Sequence, residues 1–495
     1  MAAGAVAALV VLSLSAVIWR AEAGRGLGAS DWAAIRFTVT QALWSALISV
    51  FLAIPLARAL ARRAFPGRAL LITLLGAPFL LPVIVAVMGL LAIFGRNGWV
   101  NVGLSALGLE PVSIYGFHGV VLAHVFFNLP LATRLILQGW QEVPGEQFRL
   151  AAQLGLSRRD VVRQIEWPML KRVAPGAMGL IFVLCLTSFA VALILGGGPR
   201  ATTIELAIYQ AFRFEFDLGR AALLSVIQMG IAVLACLVLF RLLPSAEPGQ
   251  GLDRVQTRWD QAAWDMPVIV LGAIFLLVPM LSILGQGVPG LLELPSVVWA
   301  SAARSVVVAV ASAVLLIALA LPMAAMILRF GGLEAIGLIG LATSPLMIGT
   351  GLFILIFPFA DPSALALWVT GVVNAVMALP FALRILVPSL RGIIDAHGRL
   401  AAQLGLRGWA LWRILILPRL RRPLGFALGL GAALSMGDLG VIALFSDPTN
   451  ATLPLQIEQL LGAYRVEAAA SASLLLTALS FALFGMFDGW GRRHA

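Results

Sequence analysis

The stretch RLAAQLGL occupies Arg149–Leu156 and recurs letter for letter at Arg399–Leu406. The same ungapped offset of 250 residues pairs Pro130 with Pro380, Ala132 with Ala382, Arg134 with Arg384, Arg163 with Arg413, Pro168 with Pro418 and Arg172 with Arg422. In a chain of 495 residues, this marks a tandem duplication, and an internal repeat constrains the architecture before any element is read. Further upstream, Ser45 and Pro55 parallel Ser312 and Pro322 at an offset of 267, so the duplication reaches past the octapeptide.

Composition says what kind of halves these are. Hydrophobic residues make up 61% of the chain and charged residues 12%, against about 45–50% and about 25% in soluble domains. The apolar residues cluster into runs long enough to cross a hydrocarbon core, which takes roughly 20 residues of helix. The expected spans are 2–19, 35–57, 70–94, 116–137, 174–195 and 220–243, then 266–285, 304–328, 333–357, 364–386, 424–445 and 470–488. The fold class is therefore all-α and polytopic, with about twelve transmembrane helices in two homologous six-helix halves. The first half covers 1–243 and the second 266–495, and a polar, Pro- and Gly-containing linker, 244–265, joins them on the cytoplasmic side.

The net charge of +11 is a topology signal and gives no indication of nucleic-acid binding, because the arginines fall between apolar runs. Segment 58–68 carries Arg58, Arg62, Arg63 and Arg68; 134–172 carries seven basic residues and 384–422 eight. The alternate connections hold Arg96 alone in 95–115 and no Lys or Arg in 286–303 or 358–363. The basic side is expected to face the cytoplasm, and with it both termini. Cys185 and Cys236 both lie in apolar runs, which gives neither a disulfide framework nor a metal site.

Each repeated basic segment follows one design: two alanines, a glycine three residues on, and a proline thirteen residues after that. The positions are Ala151, Ala152, Gly155 and Pro168, then Ala401, Ala402, Gly405 and Pro418. Paired alanines favour a short helix of little bulk. The glycines fit the left-handed residue that ends a helix, Ser157 with Asp160 has capping-box spacing, and the prolines mark the turn toward the next span. Two interfacial helices resting on lipid headgroups would explain the basic charge, but not the matched glycines.

These segments, 142–170 and 392–420, resemble the EAA loops of ABC importer permeases, whose pattern is Glu-Ala-Ala, three residues, Gly, nine residues, Ile, one residue, Leu-Pro. The first copy supplies Ala151, Ala152, Gly155, Ile165 and Pro168, with Trp167 in place of Leu; the second supplies Ala401, Ala402, Gly405, Leu415, Leu417 and Pro418. With the register set on the alanine pair, Leu150 and Leu400 stand where the family has Glu, and each glycine follows after two residues instead of three. The resemblance covers essentially the whole chain. It implies a type I ABC importer permease of the bacterial inner membrane, coupled through Ala151, Ala152, Gly155, Pro168, Ala401, Ala402, Gly405 and Pro418 to two copies of a cytoplasmic ABC ATPase. It also implies a periplasmic substrate-binding protein as partner. Three stretches are similar to the thiamine permeases of that family: Ala123–Gln138, Leu195–Gln210 and Ser435–Phe445. The implied substrate is thiamine, or its phosphate esters; a ferric-iron permease is the alternative within the class.

Lys171 is the chain's one lysine and is followed by Arg172, so the chain has no phosphate-binding GxxxxGK[ST] loop. The chain is expected to be no enzyme and to hold no cofactor of its own, with ATP and Mg bound by the partner subunits. An ion-coupled carrier of twelve spans built from repeats is a different class. It requires intramembrane carboxylates, of which Asp438 is the obvious candidate. Ionisable and polar groups in spans mark candidate pathways, here His124, Asn128, Asn374 and Asp438. His124 pairs with Asn374 at the 250-residue offset, and Asp438 suits a cation. Hydrogen bonding within the bundle is the other reading of all four.

Overall fold

The computed structural model describes residues 2–21, 26–76, 81–198, 201–242, 263–330, 343–445 and 450–492. The first half builds α1 (Ala2–Arg20), α2 (Ala29–Arg62), α3 (Val83–Phe94), α4 (Phe117–Glu142), α5 (Gly145–Gln153), α6 (Trp167–Leu186), α7 (Ala190–Leu195), α8 (Ile204–Arg213) and α9 (Leu218–Leu242). The second builds α10 (Asp265–Gly287), α11 (Ser296–Ile327), α12 (Pro345–Ile356), α13 (Ala366–Gln403), α14 (Leu417–Met436), α15 (Gly440–Phe445), α16 (Leu453–Gly462) and α17 (Val466–Arg492). Among the described residues, eleven helical stretches are long and apolar enough to cross a membrane. Helices dominate because inside a bilayer each backbone N–H and C=O must find its partner within the segment.

The duplication reappears as a pseudo-twofold arrangement. In the first half α2, α4 and α6 pack on one another, and α11, α13 and α14 do the same in the second. Prolines sit inside these helices at matched places, Pro55 and Pro322, Pro130 and Pro380. Each half also reaches across to the other. The first helix of the chain, α1, packs on α12 and α11 of the second half, while α10 packs on α3 and α2 of the first. Glycines allow these close crossings: a methyl group at Gly89 would collide with the Pro279 carbonyl, and one at Gly351 with the Ser13 carbonyl. Small residues let helix backbones approach where lipid offers no hydrophobic drive.

Several expected spans turn out to be interrupted. The stretch 70–94 contains a seven-residue helix, Arg68–Leu74, and α3; Gly76 and Pro82 are non-helical, and 77–80 lie outside the described residues. The stretch 333–357 is represented by the twelve-residue α12, its earlier part lying outside the described residues. The stretches 174–195 and 424–445 each break after the main helix, at Thr187–Phe189 and Gly437–Leu439, before a six-residue helix resumes. Averaged hydrophobicity does not see such breaks, because the unwound residues are themselves mostly apolar or small. The linker 244–265 lies almost wholly outside the described residues.

The expected turn at Pro168 and Pro418 is also corrected. In both halves the chain continues through a π-helical turn, Val162–Glu166 and Trp412–Ile416, straight into α6 and α14. Proline carries no N–H and its ring crowds the preceding turn; at the second position of a segment entered through a widened turn, both costs are absorbed.

Candidate functional site

At the centre of the molecule both halves line one cavity of about 380 Å³. Its wall reads as a list of symmetry mates: His124 and Asn374, Phe127 and Met377, Asn128 and Ala378, Leu131 and Phe381, Ser188 and Asp438, all at the offset of 250. All four polar residues singled out from the sequence are lining residues. The volume falls within the roughly 300–1,000 Å³ typical of small-molecule sites.

Two equivalent polar clusters flank this cavity. In the first half, Ser45 Oγ lies 3.3 Å from His124 Nδ1, and Ser188 Oγ lies 2.7 Å from His124 Nε2. In the second half, Asn374 Nδ2 donates to Ser435 Oγ at 3.0 Å, and Ser435 Oγ to Ser312 Oγ at 3.0 Å. Ser45 and Ser312, matched at the offset of 267, thus occupy the same role in each copy. Asn128 spends its amide within its own half, donating to the His124 carbonyl at 2.8 Å and toward Cys185 Sγ at 3.3 Å. The hydrogen-bonding reading therefore describes Asn128, His124 and Asn374 well. Asp438 differs: its Oδ1 accepts from the Gly440 amide at 3.3 Å, while Oδ2 is buried without a partner.

The helix breaks acquire a meaning here. Thr187–Phe189 and Gly437–Leu439, the unwound residues between α6 and α7 and between α14 and α15, all line the cavity. Irregular backbone is tolerated at membrane depth where it borders a cavity, and discontinuous helices are a common way of building a transport site. A further lining carboxylate escaped the sequence reading. Glu205, in the first turn of α8, is fully buried. It has no acidic counterpart, since Pro454 stands at its place in α16, and it falls between the expected spans 174–195 and 220–243. Among the described residues, no lysine or arginine lines the cavity.

At one end of the molecule lie the repeated segments. Gly155 and Gly405 adopt φ of 63° and 69°, each ending its helix in the left-handed region as expected. Ser157 and Asp160 form the capping box. Ala151 and Ala401 are buried, whereas Leu150, Ala152 and Leu154, and Leu400, Ala402 and Leu404, are exposed beside the open glycines. The two copies differ in one respect: Pro144 breaks α4 from α5, whereas Ile394 at the equivalent place lets α13 run unbroken through Ala401 and Ala402.

Two duplicated helical halves, crossed over one another around a shared, mainly apolar cavity with a few polar groups and each carrying an exposed small-residue turn, define a permease of the membrane-transport class. Comparison with known proteins gives the family. The profile of the binding-protein-dependent transport system inner membrane component family matches residues 49–246. The Thiamine transport system permease protein of Brucella abortus (strain 2308) is 39% identical over 97% of this chain and 92% of its own length. The protein of that name from Salmonella typhimurium (strain LT2) is 41% identical over 94% and 90%, and that from Escherichia coli (strain K12) 41% identical over 92% and 88%. The chain belongs to this family: it is a multi-pass inner-membrane permease component of a binding-protein-dependent transport system, and not itself a catalytic one.

Proposed function

We propose that this chain is the permease of an ATP-driven importer that carries thiamine, and its phosphate esters if the binding protein delivers them, from periplasm to cytoplasm. One observation carries the reading: relatives named as thiamine transport permeases align with this chain at about 40% identity along nearly its whole length. The cavity suits such a substrate. Thiamine joins a cationic thiazolium to a flat aminopyrimidine, and the lining offers the unpaired Asp438 oxygen together with Phe127, Phe189 and Phe381 as cation-stacking faces.

Energy enters through a partner. Two cytoplasmic ATPase subunits, which bind ATP and Mg, dock on the repeated segments that carry Ala151, Ala152, Gly155 and Pro168 and Ala401, Ala402, Gly405 and Pro418, with the turns at Gly155 and Gly405 exposed. With Leu150 and Leu400 exposed beside the paired alanines, the contact is apolar and set by shape. The basic connections place these turns and both termini in the cytoplasm. A periplasmic binding protein delivers substrate on the opposite side, where 196–219 and 446–467 connect the helices. Closure of the ATPase pair then rocks the halves about the cavity.

Reconstitution with the ATPase and the binding protein tests this. Labelled thiamine is expected to accumulate only with ATP and both partners present, and ferric iron is expected not to accumulate. Uptake of iron instead of thiamine selects the ferric-iron alternative, and uptake by the chain alone under a proton gradient overturns the ATP-driven reading.

A further inference from the structure

Glu205 is 0% exposed, lines the cavity, and has hydrogen-bond partners at neither carboxylate oxygen. Its polar neighbours, Ser344 and Gln228, carry no positive charge, and each keeps a proton it can donate to the carboxyl group. Ser344 Oγ accepts from the Leu346 and Met347 amides, and Gln228 Nε2 donates to the Leu186 carbonyl at 2.8 Å. The carboxyl group is held in place from behind. Thr203 caps α8 through the Leu206 amide, and the Ile204 amide donates to Thr38 Oγ1 of α2 at 2.8 Å. The second half repeats the second of these bonds, with the Leu453 amide donating to Ser305 Oγ at 2.8 Å, but Thr452 makes no side-chain cap and Pro454 stands in place of the acid. The shared anchor thus holds the short helix in both copies, while the acid is present in one copy only and has no part in that anchor.

Burying an unpaired acid is costly unless a partner arrives. Its place in the first turn of a helix gives the charge some support, yet among the described residues no lysine or arginine of the cavity wall faces its two oxygens. Among the described residues, a second carboxylate oxygen without a partner on the same cavity wall is Asp438 Oδ2, contributed by the opposite half, and no lysine or arginine lines the wall between them.

We propose that Glu205 is a cation-recognition residue of the transport cavity, which with Asp438 selects a monovalent organic cation by charge from the two halves at once. This rests on the thiamine reading above. Each acid sits on a different half, so an alternating movement of the halves changes the distance between them. The cation is held by both acids in one state and released when they part.

The test measures ATP-dependent uptake of thiamine and of 3-deazathiamine, its uncharged isostere, by the complete reconstituted transporter. In Glu205→Gln the thiamine-to-deazathiamine ratio is expected to fall by about tenfold or more, as when one partner of a buried charge pair is removed. Asp438→Asn should lower the same ratio, and Glu205→Asp should preserve it. The glutamine variant mimics a neutral acid donating to Gln228 Oε1, which is itself without a partner. An unchanged ratio in Glu205→Gln, with wild-type thiamine uptake intact, therefore overturns the proposal and makes Glu205 a neutral bundle group. If the wild-type protein takes up no thiamine, the substrate reading fails instead, and this proposal falls with it.

Discussion

Glu166 shows how a single residue can separate two otherwise equivalent copies. It lies in the π-helical turn of the first repeated segment, 2% exposed, where Arg58 Nε donates to it at 2.9 Å and Arg62 pairs with its other oxygen. Nearby, Arg63 faces Asp265, at the start of the second half, at 3.6 Å. The end of α2 thus ties the repeated segment and α10 together. The second copy has Ile416, equally buried, at the position of Glu166. Removing one member of a buried ion cluster leaves the others uncompensated. Glu166→Ala should therefore cost about 3 kcal/mol, the low end for buried pairs, because Arg58 keeps 30% exposure and can turn to water. A lowered thermal unfolding midpoint of the detergent-solubilised protein checks this; an unchanged midpoint would mean that the cluster contributes little. The sequence showed the arginines only as a topology signal, since nothing in local spacing brings residue 166 to residue 58.

Among elements, the two repeated segments reveal what local patterns can and cannot tell. The left-handed glycines at 155 and 405 and the Ser157–Asp160 cap were legible, because a backbone that must turn or a helix that must be capped calls for particular residue types within a few positions. The continuation through Pro168 and Pro418 was not, because a π-helical turn has no residue signature of its own. Nor was the asymmetry at Pro144, whose φ of −59° and ψ of 133° set the break before α5. Replacing Pro144 by Ile, the residue of the second copy, should let α4 run into α5 as α13 runs through its own repeat. Spin labels at Gln138 and Leu150 should then move toward about 18 Å, the span of twelve residues of continuous helix, and uptake should fall as the exposed turn is reoriented. An unchanged distance distribution would show that packing, and not the proline, sets the break.

At the scale of the whole molecule the crossed helices matter most. Because α1 packs on α12 and α10 on α3, each half completes the other and the linker need not hold them together. Co-expressed fragments 1–250 and 251–495 should therefore co-purify and restore uptake, while either fragment alone should fail to assemble. Fragments that stay apart would show that the linker is required. The sequence by itself determined that this is a duplicated, helical, membrane-spanning protein, that it carries a repeated small-residue turn twice, and that it lacks a phosphate loop, since hydrophobicity, repetition and backbone chemistry are all local or periodic properties. Only the tertiary structure decided which helices break, which half clasps which, and that Glu205 joins Asp438, His124 and Asn374 around one cavity. The physical reason is that a cavity is made by residues far apart in the chain. An acid without a symmetry mate, sitting in an apparent loop, is indistinguishable from a surface residue until packing shows that it is buried.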